Sequence, residues 1–99
     1  MAATEPFYPI ATASVSWTDG AGVHLRVYAS DGYTVRERCY DDGTWTDGGF
    51  VQLGNAVSAT SWTDANGLHI RVYCTAKNVT TEWCADPGSD WYQGAYTTN

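Results

Sequence analysis

An arginine stands in the middle of an alternating apolar segment twice in this chain. It is Arg26 in His24-Leu25-Arg26-Val27-Tyr28 and Arg71 in His69-Ile70-Arg71-Val72-Tyr73. Val23, Leu25 and Val27 alternate with His24, Arg26 and Tyr28, which is the two-residue period of a β-strand. A glutamate follows each arginine at the same distance, Glu37 and Glu82. With Asp31-Gly32 as the central pair of a type I′ turn, the chain folds back so that Glu37 lies directly opposite Arg26. A turn at Ala76-Lys77, weaker in its own chemistry, does the same for Arg71 and Glu82 by analogy. A guanidinium beside a carboxylate presents fixed donors and acceptors, which suits the adjacent hydroxyls of a sugar. Trp45 and Trp91 each follow a turn rich in Gly and Asp, and an indole there offers a face for the C–H side of a pyranose.

Blander readings compete with this one. A cross-strand Arg–Glu pair is also an ordinary salt bridge, worth little when exposed. Recurrence of Arg, Glu and Trp together in both segments favours the binding reading. The same register sets His24 against Cys39 and His69 against Cys84. A Cys–His pair could begin a nucleophile–base or zinc site. Neither copy adds further clustered ligands or a candidate oxyanion hole, so a packed histidine beside a thiol is the simpler reading. Glycoside hydrolysis needs two carboxylates in distinct roles. Here the copies are near-duplicates, and an arginine facing each glutamate favours the ionised form, which spoils it as a general acid. The sequence therefore predicts binding without catalysis, with no metal and no other cofactor. A sialidase- or fucosidase-like glycosidase and a purely structural ring are the alternatives.

The candidate residues belong to one repeated unit. Residues 13–50 align with 58–96: at a spacing of 45, Trp17 meets Trp62, Arg26 meets Arg71, Tyr28 meets Tyr73, Glu37 meets Glu82 and Cys39 meets Cys84. One inserted residue then brings Trp45 to Trp91, Gly48 to Gly94 and Phe50 to Tyr96. Trp17 and Trp62, in Ser-Trp-Thr-Asp, read as core, while Trp83 aligns with Arg38, breaks the repeat and receives no role. A repeat of about 45 residues with roughly four short strands has the size of a β-propeller blade. The expected fold is thus all-β, with a first blade over residues 11–54, a second over 55–99 and an extended tail over 1–10. Two blades cannot close a ring, and alone they leave apolar faces and strand edges uncovered. Association of two, three or four chains would supply four, six or eight blades.

Composition narrows the partners. The 99 residues suffice for one ordinary domain, and with five Trp, seven Tyr and two Phe they are rich in aromatics. Only five basic residues against eleven acidic ones, a net charge of -6, argue against nucleic acid. No apolar run approaches membrane-spanning length, and the opening residues show no secretory signal. Three cysteines, two of them at equivalent repeat positions, read as free thiols rather than a disulfide framework. Asn78-Val79-Thr80 is a glycosylation triplet of a kind that also arises by chance.

The segments Leu-Arg-Val-Tyr…Arg-Glu-Arg-Cys-Tyr-Asp…Trp…Gly-Gly-Phe and Ile-Arg-Val-Tyr…Thr-Thr-Glu-Trp-Cys…Trp…Gly-Ala-Tyr resemble the fucose-binding lectins of the Aleuria aurantia lectin family. The likeness is to the small bacterial type with two repeats per chain, and it spans about residues 11–98. It implies a six-bladed propeller formed by a homotrimer, with L-fucose and fucosylated glycans bound between consecutive blades. Transferred onto this chain, an intramonomer site comprises Arg26, Glu37 and Gly49, completed by Ala85 and Trp91 of the second copy. An intermonomer site comprises Arg71, Glu82 and Ala95, completed by Tyr40 and Trp45 of another chain. The family often carries Trp where this chain has Ala85, so the intramonomer site lacks an aromatic wall and is expected to bind more weakly.

Overall fold

A computed structural model describes residues 8–98 of the chain. It contains eight strands: β1 (Ala11–Asp19), β2 (Gly22–Ser30), β3 (Thr34–Asp41), β4 (Thr44–Leu53), β5 (Ala56–Asp64), β6 (Gly67–Ala76), β7 (Val79–Ala85) and β8 (Tyr92–Thr97). They form two four-stranded antiparallel meanders, β1-β2-β3-β4 and β5-β6-β7-β8. The first sheet thus coincides with the first copy of the repeat and the second sheet with the second. Of the expected tail, residues 1–7 lie outside the described part, and Ile10 N donates to Ser30 O at 2.8 Å, continuing the β1–β2 ladder.

The turns fall one residue later than the sequence suggested. In the β2–β3 hairpin Ser30 pairs with Val35, and Gly32, at φ 103°, is the first of the two central turn residues. Asp31 precedes the turn and caps it, its Oδ1 accepting from the amides of Tyr33 and Thr34 at 2.9 Å each. In the second copy the turn is Lys77-Asn78, with φ of 53° and 65°, the pair of positive values a type I′ turn requires. The Asp-Gly pair that does sit in the left-handed region is Asp42-Gly43, in the next hairpin. Moving a turn by one residue moves every cross-strand partner by two and leaves the faces unchanged. Arg26 therefore pairs with Cys39 and Tyr28 with Glu37; Arg71 pairs with Cys84 and Tyr73 with Glu82. The direct Arg–Glu and His–Cys oppositions read from the sequence are corrected accordingly.

Both sheets contain a bulge before the last strand, between Arg36 and Arg38 and between Thr81 and Trp83. In the first sheet it brings Gly48 beneath Glu37, and a Cβ on Gly48 would lie 1.9 Å from the Glu37 carboxylate. Gly94 stands in the same relation to Glu82, at 2.1 Å, and to the Cys84 sulfur. These two glycines recur because a carboxylate occupies the space that a side chain would need.

The sheets stack face to face, β1 beside β5, with β4 reaching β6. The core lies between them. From the first sheet come Val15, Tyr28, Val35 and Phe50, and from the second Ile70, Val72 and Cys74, all buried. Strand parity then gives an asymmetric result. The first sheet turns inward the face that carries His24, Arg26 and Tyr28, whereas the second turns inward Leu68, Ile70, Val72 and Cys74. The sequence reading hid Leu25 and Val27; in the structure they lie half-buried on the outer face, with Val23, Val51 and Leu53 exposed beside them. Trp83, given no role from sequence, packs against the core and donates from Nε1 to Thr81 Oγ1 at 3.0 Å. Trp17 also packs on the core, as expected, but Trp62 is 44% exposed. Cys39, Cys74 and Cys84 are free thiols, and burial pushes Cys74 up to about 11.

Candidate functional site

The inward face of the first sheet and the outward face of the second carry the same constellation. Tyr28 OH donates to Glu37 Oε2 at 2.8 Å, and Tyr73 OH to Glu82 Oε2 at 2.7 Å. Glu82 Oε1 also accepts from the amide of Tyr96 at 3.2 Å. Its carboxyl is held below the usual range by the Tyr73 hydroxyl first, then by the amides of Tyr96 and Ala95 and the nearby charge of Arg71. The tyrosine is a participant that the sequence reading placed in the repeat without a task; its recurrence at the same spacing as the arginine was the available signal.

The arginines turn to a different carboxylate. Arg26 Nη1 donates to Leu25 O at 2.8 Å and to Asp41 Oδ1 at 3.1 Å; Arg71 Nη1 donates to Ile70 O at 3.0 Å and to Asp86 Oδ1 at 2.8 Å. Among the described residues neither arginine forms an ion pair with its glutamate. Each guanidinium lies over an indole, with Cζ 4.8 Å from the ring centre of Trp17 or Trp62. Nε and Nη2 of both arginines make no hydrogen bond to the described residues, and no buried side-chain nitrogen lacks a partner there. Those donors therefore open to solvent. An arginine with one end tied and one edge free, on the same face as a carboxylate, is fitted to take hydroxyls from a neutral polyol.

Behind the arginine sits a histidine bound by two aspartates. His24 Nδ1 lies 2.5 Å from Asp41 Oδ1 and its Nε2 2.9 Å from Asp19 Oδ1; the His69 distances are 2.7 Å to Asp86 and 3.0 Å to Asp64. The carboxylate at Asp41, then that at Asp19, raises the affinity of His24 for its proton, and Asp86 with Asp64 does the same for His69. Asp41 is lowered mainly by His24 and then by Arg26. Asp86 is lowered further, because it also accepts from the hydroxyl of Tyr92. The thiols of Cys39 and Cys84 are raised chiefly by burial, which keeps them protonated and poorly nucleophilic.

The structure places the two halves of one proposed group on the facing sides of the two sheets. Trp91, entering β8, comes from the second sheet to meet Tyr28 and Phe50, with ring centroids 6.2 Å and 4.6 Å away. Ala85 lies on the same inward face of the second sheet, packed against the core, and Gly49 is exposed next to Gly48. The other group is divided. Arg71, Glu82 and the Ala95 amide lie on the outer face of the second sheet, where Trp62, His69, Arg71, Asp86 and Pro87 line an open cleft. Tyr40 and Trp45, with ring centroids 5.1 Å apart, lie on the outer face of the first sheet, on the far side of the chain.

These features accord with what the chain is similar to. It belongs to the fungal fucose-specific lectin family, whose model matches residues 4–99, and this bears out the resemblance read from its motifs. Among solved structures it is similar to SapL1 lectin in complex with alpha methyl fucoside, at 32% identity and a TM-score of 0.77. That likeness covers 89% of this chain and 32% of the other, so the chain spans about a third of that protein's length. No curated protein matches the chain.

Proposed function

We propose that the chain is a non-catalytic lectin that binds L-fucose and fucosylated glycans at two sites per chain. One arrangement carries this reading: an arginine with a free Nε–Nη2 edge and a tyrosine-bound glutamate share one face in both copies. In the first copy that face already receives Trp91 from the neighbouring sheet. Arg26, Glu37 and the Gly49 backbone supply the polar contacts there, with Ala85 and Trp91 as the opposing wall. Arg71, Glu82 and the Ala95 backbone repeat the polar half on an open face.

The missing half is on the same molecule, at its other side. Tyr40 and Trp45 occupy the positions in the first sheet that Ala85 and Trp91 occupy in the second, by the repeat spacing. Stacking the outer face of one chain's second sheet on the outer face of the next chain's first sheet reproduces the contact made inside each chain. Such a head-to-tail contact closes into a ring when the rotation allows. Each sheet, over 11–54 and 55–99, is then one blade, and three chains give a six-bladed propeller. Six sites on one ring raise affinity for a glycan-bearing surface through effective concentration alone.

Calorimetric titration with methyl α-L-fucoside, joined to light-scattering mass measurement, tests the reading. Saturable heat and a mass of three chains are expected, with Arg26→Ala, Arg71→Ala abolishing the heat at unchanged mass. Absence of heat from the parent protein at millimolar fucoside sinks the proposal. Loss of the assembled mass in the double variant makes the arginines struts instead.

A further inference from the structure

Each sugar-facing arginine is tied at Nη1 alone, and by equivalent partners in two independent copies. The carboxylate oxygen that receives Nη1, Asp41 Oδ1 or Asp86 Oδ1, is also the one bonded by the histidine Nδ1. That histidine stacks on the same indole that underlies the guanidinium, with centroids 5.0 Å apart for Trp17–His24 and 4.9 Å for Trp62–His69. Both ring pairs are nearly parallel, at 10° and 7°. A planar guanidinium that lies over a ring and is pinned at one nitrogen has little rotational freedom left, so its unused edge keeps one direction.

We propose that Asp41 and Asp86 are positioning residues for the sugar-binding arginines. Each carboxylate, itself fixed by the histidine, holds Nη1 so that the Nε–Nη2 edge meets vicinal hydroxyls without first being ordered, which is how preorganisation strengthens binding. This rests on the lectin reading above. The aspartates act through the arginine and make no contact with the sugar. The second copy has the firmer support, because the Tyr92 hydroxyl also donates to Asp86, whereas the aligned residue of the first copy is Thr46.

The test compares Asp41→Ala, Asp86→Ala with Asp41→Asn, Asp86→Asn, since asparagine keeps an oxygen acceptor for Nη1. Two quantities are read: affinity for methyl α-L-fucoside by calorimetry, and the arginine Nε–H signals in ¹H–¹⁵N spectra without sugar. The alanine pair is expected to weaken binding about tenfold or more and to broaden or average the arginine signals, at unchanged assembled mass. The asparagine pair is expected to recover sharp signals and affinity to within about threefold of the parent. Parent-like affinity in the alanine pair overturns the proposal, and so do arginine signals that stay sharp in it. If the alanine pair does not assemble, single Asp41→Ala decides in the same way at its own site, because that side chain is 41% exposed. A parent protein that binds no fucoside removes the lectin reading and this proposal with it. That failure is told apart because it shows in the parent and not only in the variants.

Discussion

The two sheets are copies of one unit, yet they bury opposite faces. Tyr28 is fully buried and its counterpart Tyr73 is not; Phe50 is 2% exposed and its counterpart Tyr96 51%. The reverse holds on the other side, where Val72 is fully buried while Val27 is only half-buried. Burial here is assigned by the neighbour that covers a residue and not by the residue. A unit with one face rich in Leu, Ile and Val and another rich in Tyr, Glu and Arg is built to stack on itself in one direction. In a lone pair of sheets each kind of face is satisfied once and left open once.

The largest expected effect tests that assignment. Val72→Asp places an unpaired charge in the inter-sheet core and should cost more than about 4 kcal/mol, leaving a chain without strand signal in circular dichroism. Val27→Asp, the same change at the same repeat position, should keep the strand signal and reduce the mass in solution to that of a single chain. Equal damage from both substitutions breaks the comparison. Next is Ala85→Tyr, which would give the proposed intra-chain site the aromatic wall that Tyr40 would supply to the proposed inter-chain one. Fucoside titration of the parent should resolve a weak and a tight class of sites, and the substitution should strengthen the weak class by about 1–3 kcal/mol. A single class in the parent counts against the inequality.

Smaller again is the tyrosine hydroxyl. In the monomeric Val27→Asp background, Tyr28→Phe strips a donor from buried Glu37 and should lower the urea-derived stability by about 1–3 kcal/mol. Tyr73→Phe should cost about 1 kcal/mol or less there, because water reaches Glu82, and the gap should narrow in the assembled protein. The smallest effect is with pH. Carboxylates raise His24 and His69 above the ordinary 6.5, so their stabilisation is complete below that pH and fades as pH rises through the raised values. Asp19, Asp41, Asp64 and Asp86 are lowered from 3.8, so theirs is complete above 3.8 and fades as pH falls through the lowered values. Melting temperature should therefore peak between about pH 4 and 6.5, and a continued rise toward pH 8 contradicts the histidine contribution.

The repeat and the strand period were legible because both depend on spacing along the chain. They placed Arg26 and Glu37 on one face correctly, and parity protected that conclusion even though the turn was set one residue early. Direct partners were not protected, since Asp31 caps its turn through its side chain instead of occupying it. Asp41 and Asp86 escaped notice because their role arises only when the corrected register brings them to His24 and His69. Which apolar face is covered was not legible either, because both faces of one sheet carry groups that can be buried, and the choice lies with the adjoining sheet.

The residues between the sheets are graded by size. Val57 and Ala59, small and on β5, line the side where β5 meets β1, while Tyr28, Phe50 and Trp91 fill the opposite side. Small side chains thus fill the inter-sheet space beside β1 and β5, and three aromatic rings fill it on the other side. In the proposed ring the angle from one sheet to the next would be set by these volumes within a chain and by their repeat counterparts Tyr73, Tyr96 and Trp45 between chains.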